Sequence, residues 1–190
     1  MSSKSRVSTS SIFQLKVTLK DTRPPIWRRI LVDGNTSLQK LHDVLQLTMG
    51  WGNYHLHAFE IHGREYGVPD PEFEQDSRMR DEKSVKVMKV VAEKDRFLYV
   101  YDFGDDWQHQ IVVEKILPRE QGRHYPVCVA GAMACPPEDC GGTWGYREFL
   151  EAITDPDHEE HESMIEWVGG GFDPEEFNLD EINVELKQIK

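Results

Sequence analysis

The chain has 190 residues, with 34 acidic against 22 basic side chains and a formal net charge of −12. That balance argues against a general nucleic-acid binder, whose affinity comes largely from attraction to phosphate. No apolar run approaches the ~20 residues of a membrane span, and MSSKSRVSTSS lacks the apolar stretch of a secretory signal, so a cytoplasmic protein is expected.

The polar, Ser-rich residues 1–10 read as a flexible tail, and 11–190 as one α+β domain whose part beyond about 143 is helical. IFQLKVTLK (12–20) alternates, with Phe13, Leu15, Val17 and Leu19 on one face, and reads as a half-buried strand. After the Asp21–Pro25 turn, IWRRILV (26–32) reads as its hairpin partner. Thr36 and Gln39 are spaced as a capping box. Leu38, Leu41, Leu45 and Met49 then form a helical stripe that Gly50 ends. A hairpin packed on this helix resembles the start of a β-grasp arrangement, within an antiparallel or mixed sheet.

YHLHAFEIHG (54–63) alternates again and places His55, His57, Phe59 and Ile61 on one strand face. Residues 68–82 are a polar loop with two prolines, and 83–91 read as a helical turn followed by a short strand. FLYVYDF (97–103) and WQHQIVVEKIL (107–117) flank Gly104-Asp105-Asp106 as two strands of a hairpin. Trp107, His109, Ile111 and Val113 share one side of the second. Beyond residue 143, three helical patterns follow, ended or begun by Gly169–Gly171, Asp173-Pro174 and the capping pair Asn178/Glu181.

Between strands and helices lies CVAGAMACPPEDCGGTWGY (128–146), which holds all three cysteines. Pro136 and Pro137 suit the start of a helical turn, Glu138 and Asp139 its positive end, and Gly141-Gly142 a left-handed stop. A rigid knuckle presenting Cys135, Glu138, Asp139 and Cys140 is expected. An odd number of cysteines indicates no disulfide framework. Charge is concentrated beyond the knuckle: residues 138–190 carry 16 acidic and 3 basic side chains (net −13), residues 1–137 carry 18 and 19 (net +1). The basic first hairpin, with Arg28 and Arg29, is expected to face these acidic helices or solvent.

Six segments in this order, PPIWRRILV, LHDVLQLTMGW, HLHAFEI, YDFGDDWQH, CVAGAMACPPEDCGGTWGY and FDPEEFNLDEIN, resemble the Ri-plasmid open-reading-frame-3-like family from about Phe13 to Leu186. Members carry plasmid or transposable-element passenger labels. The resemblance implies a compact cytoplasmic α+β domain and names no reaction. A recombinase reading has no support, because the acidic C-terminal part cannot supply a basic DNA-binding helix.

Three motifs carry groups able to hold a metal or move a proton: His55/His57, Asp102/Asp105/Asp106/His109, and Cys128/Cys135/Glu138/Asp139/Cys140. Cys128, Cys135 and Cys140 with His57 or His109 could complete a site for zinc or another divalent metal, although free cysteines are more often small core residues. His158-Glu-Glu-His161 fails the HExxH pattern. Phosphate loops, dinucleotide fingerprints and nucleophile elbows are absent from the sequence. Two readings follow. The first is a module that binds a protein or small molecule in an aromatic-lined cleft of Trp51, Trp107 and Trp144 beside the polar residues above. The second is a metal-dependent enzyme using His, Asp and Cys groups from the three motifs.

Overall fold

The computed structural model describes residues 11–69 and 79–189. The N-terminal tail and most of the loop expected over 68–82 lie outside them. Strands β1 (Ser11–Leu19) and β2 (Trp27–Asp33) form the expected antiparallel hairpin, and helix α1 (Leu38–Met49) follows. Ser37, one residue later than the capping-box spacing suggests, is the N-cap: its side chain accepts from the Lys40 N–H. Thr36 instead accepts at its carbonyl from Val87 N–H. Gly50 closes the helix at φ 98°, as expected.

The next strand, β3 (His57–Ile61), is shorter than its alternating pattern, and His55 precedes it. β3 turns back at His62-Gly63, both left-handed (φ 51° and 71°), into β4 (Arg64–Gly67). Two residues with positive φ match the twist of a two-residue hairpin, so this pair makes a strand that alternation alone does not reveal. A short β5 (Arg80–Asp81) follows, then α2 (Val87–Val90), which stands where a turn and a strand were expected. β6 (Arg96–Tyr101) and β7 (Trp107–Pro118) pair across the Gly104-Asp105-Asp106 turn. β8 (Val127–Ala132) pairs with β2.

Among the described residues the sheet has eight strands in the order β5-β4-β3-β6-β7-β1-β2-β8, antiparallel except for the parallel pair β4-β5. Its core face carries Phe13, Leu15, Val17, Phe59, Tyr99, Trp107 and Val113, against which α1 lays Leu38, Leu41, Val44 and Leu45. Burying each such side chain contributes about 1.5–3 kcal/mol. The C-terminal part is helical: α3 (Gly142–Thr154), α4 (His161–Trp167) and α5 (Leu179–Leu186), with α3 against α4 and α5 against β8 and α1. Asn178 caps α5 by accepting from Glu181 N–H, as expected.

Among the described residues, the basic hairpin forms no ion pair with the acidic helices. Arg29 binds Glu114 of β7 through two bonds of 2.6 and 2.8 Å. Arg28 is buried and donates to the carbonyls of Thr48, Trp27 and Ala132 (2.7–2.9 Å), with its guanidinium over the Phe177 ring. A carbonyl in the last turn of α1 and an aromatic face thus take the place of a carboxylate.

Candidate functional site

Three turns at one end of the sheet meet, each tied to the next through backbone groups. The first follows α1. Asn53, at φ 58°, donates its N–H to Gln46 Oε1, and Tyr54 donates its N–H to the Tyr101 hydroxyl. His55 follows this reversal and precedes β3, so it stands outside the strand whose alternation carries His57. The second is the Asp102–Asp106 turn, with Asp102 at φ 56°. Asp102 N–H donates to Leu56 O, and Asp106 N–H to Asp102 O. Aspartate tolerates the left-handed region better than most residues.

The third is the knuckle. Trp51 Nε1 donates to Pro136 O, and Gly52 N–H to Glu138 Oε1 at 2.7 Å. Gly141 N–H donates to Asp105 Oδ2. Residues 138–139 make a plain turn rather than the helical turn expected after Pro136-Pro137. Gly141 and Gly142 begin α3 instead of ending a helix. Their glycine identity is set by approach as well as by φ: a Cβ on Gly142 would lie 2.4 Å from Asp105 O.

At the centre His55 Nε2 lies 3.0 Å from Asp139 Oδ1, 3.7 Å from Asp102 Oδ2 and 3.8 Å from Glu138 Oε2. This nitrogen is buried, yet its approach to Asp139 does not have hydrogen-bond geometry. Asp102 holds Gly104 N–H on Oδ1 at 2.9 Å, and Glu138 takes Gly52 N–H on Oε1, so both present the other oxygen to the histidine. The Tyr101 hydroxyl donates to Glu138, and burial pushes its pKa up to about 12, keeping it a donor. Asp139 is exposed and also borders a cavity of about 360 Å³ between the knuckle, α3 and α4. Chemically, the junction offers one imidazole nitrogen and three carboxylates to a cation.

The other histidines have different surroundings. His57 is buried and donates from Nε2 to the buried Glu82 at 3.0 Å. Its ring stacks on His42 with centroids 3.4 Å apart and planes 4° from parallel. His42 Nε2 donates to Asn53 Oδ1, which fixes the tautomer, so Nδ1 accepts from the Tyr99 hydroxyl (both 2.8 Å). Burial, and then His57, lower the His42 pKa to about 4. Glu82, Gln46 and Tyr99, which complete this network, carry no sequence signal that marks them. His109 is fully buried with its ring edge-on to Trp51, and burial lowers it to about 4.

The cysteine set expected from the sequence does not converge with these histidines. Among the described residues, the group whose metal-ligating atoms all lie within 4.8 Å of one another is His55, Asp102 and Asp139. Cys128 lies on β8 with its thiol near Ala130 O, while His57 and His109 point into the core. All three thiols are free, and burial pushes their pKa values up, that of Cys140 to about 12.

The aromatic cleft likewise divides. Trp51 (6% exposed) and Trp107 (0%) pack together in the interior with Tyr101 and do not line a groove. Trp144 is 67% exposed on the first turn of α3, its Nε1 donating to Glu148 and Arg147 over its ring. Tyr54 (79%), Leu56 and Phe103, the residues flanking His55 and Asp102, are exposed as well.

The profile of the plasmid pRiA4b ORF-3-like protein family matches residues 11–181. The chain is 40% identical over 177 residues to an uncharacterized protein, y4hQ, of Sinorhizobium fredii (strain NBRC 101917 / NGR234), covering 92% of this chain and 90% of that one. It is similar in structure to a protein of unknown function, MM3350, from Methanosarcina mazei Go1. The TM-score is 0.84 at 40% identity, over 92% of this chain and 98% of that one. Among the described residues no helix is long and apolar enough to cross a membrane.

Proposed function

The chain belongs to the plasmid pRiA4b ORF-3-like protein family, and we propose that it acts as a binding module whose contact surface is the junction of the three turns. One observation carries this reading: exposed large apolar side chains stand immediately beside the polar cluster. Tyr54 and Leu56 flank His55, Phe103 follows Asp102, and Trp144 opens the helix that abuts the Asp105 turn. Apolar surface gathered around polar groups is what a binding patch presents, whereas scattered exposed apolar residues are ordinary. The rigid backbone ties between the turns support the same reading, since a preformed surface loses little entropy on binding.

A photo-crosslinking amino acid placed at Phe103 or Trp144, in the full chain inside its native cell, tests this. A discrete adduct at both positions, absent when the same group replaces the exposed Val184 on α5, is the expected result. Adducts at Val184 equal to those at the junction, or none at Phe103 and Trp144, would refute the reading.

A further inference from the structure

We propose that His55, Asp102 and Asp139, with Glu138 beside them, bind a divalent metal cation. This deepens the reading of the junction as a binding surface and rests on it for the site's openness to a ligand. The separations fit coordination. Four ligands at about 2.1 Å from zinc stand about 3.4 Å apart, and neighbouring ligands of an octahedron about 3.0 Å apart. The distances from His55 Nε2 to the three carboxylates, 3.0, 3.7 and 3.8 Å, bracket those edges. Each of His55, Asp102 and Asp139 comes from a different turn, and each turn is fixed to another through the backbone.

The competing account is an imidazolium held by an acidic pocket. It would require the Nε2–H to point at an acceptor, because a buried charged donor is costly without one. Nε2 is buried and has no hydrogen bond, though an acceptor lies only 3.0 Å away. An imidazole nitrogen set beside three carboxylates, with a hydrogen bond to none of them, is an arrangement that a cation completes. Backbone bonds to the far oxygens of Asp102 and Glu138 orient the near ones, as outer partners do around metal ligands. One nitrogen with carboxylate oxygens and no thiolate suits Mn²⁺ or Zn²⁺ better than Ca²⁺, which takes oxygen ligands alone.

Calorimetric titration of the chelator-treated full chain with Mn²⁺ and, separately, Zn²⁺ tests the site. One equivalent per chain is expected, with His55→Ala and Asp139→Asn each weakening binding by about tenfold or more. Cys135→Ser and His62→Ala leave it unchanged. Asparagine at Asp139 keeps the left-handed backbone accessible, so loss of binding there with an unchanged circular dichroism spectrum counts as loss of a ligand. Binding below one equivalent in the wild type, or equal binding in His55→Ala and Asp139→Asn, would overturn the proposal. An imidazole NMR signal showing His55 doubly protonated in the presence of excess metal would do the same. A crosslinked partner without metal binding removes this proposal alone. Metal binding without a crosslinked partner removes the docking surface alone.

Discussion

His55 and His57 stand two residues apart and occupy opposite environments. His57 is enclosed, stacked on His42 and held by Glu82, inside a network whose nitrogens and oxygens find partners in Tyr99, Asn53 and Gln46. His55 sits in an open junction with three carboxylates near one nitrogen and no hydrogen bond to any of them. The first arrangement holds helix α1 to the sheet, because satisfied polar groups in a low-dielectric core specify a single packing. The second gathers like charges at a surface, which costs stability and is sustained by the backbone ties around it. The interior is not uniformly satisfied: Trp107 Nε1 and His109 Nε2 are buried without partners. Those two, however, are enclosed by aromatic rings, whereas the His55 nitrogen faces groups able to bind a ligand.

The largest expected effect is on the interior side. His42 and His109 have pKa values near 4 in the folded chain, against an ordinary 6.5, through burial. A lowered folded pKa means the unfolded chain takes up protons first. Their contribution is therefore complete above pH 6.5 and is lost as pH falls toward 4, at roughly 3 kcal/mol for each histidine. Asp43, raised by burial, works in the opposite direction and offsets part of the loss. Urea unfolding at pH 7, 5.5 and 4.5 should show midpoints falling steadily; a flat series would contradict neutral interior imidazoles.

Next in size is the buried pair. Glu82→Ala leaves the buried His57 Nε2–H without its acceptor and should cost about 1–3 kcal/mol. At about 2–4 °C per kcal/mol for a chain of this length, the melting temperature should drop by roughly 5 °C. A drop of less than about 2 °C would place Glu82 outside the network that holds α1.

Much of the scaffold was legible because its signals are local. Alternation from Phe13 to Leu19 and from Trp107 to Val113, the stripe on α1 and the Gly50 cap all act within a few residues. The missed parts depend on contacts distant in sequence. VCVAGA in β8 has no large alternating residues, and it becomes a strand by pairing with β2 while Phe177 packs over Gly131. Gly141-Gly142 reads as a stop because a positive φ is needed there; in the fold the same φ serves a helix start pressed against Asp105. The three motifs of the site were visible as candidates. Alternation, however, could not separate His55 from His57, since the reversal at Asn53 depends on Gln46 and Tyr101. Counting tryptophans overstated the cleft for a similar reason. Trp51 and Trp107 are large enough to be core, and exposure fell instead on Tyr54, Leu56 and Phe103.

The smallest expected effect bears most directly on the central claim, that the junction exists to bind and not to hold the fold. Equilibrium unfolding at pH 7 of the double variant His55→Ala, Asp139→Asn, measured in chelator beside the wild type, reads it. If the cluster is a binding site, removing one carboxylate charge and an imidazole without a hydrogen bond should leave stability unchanged or raise it by up to about 1 kcal/mol. A loss of more than about 1 kcal/mol would show the cluster to be a structural ion-pair network and would contradict a junction built for a ligand.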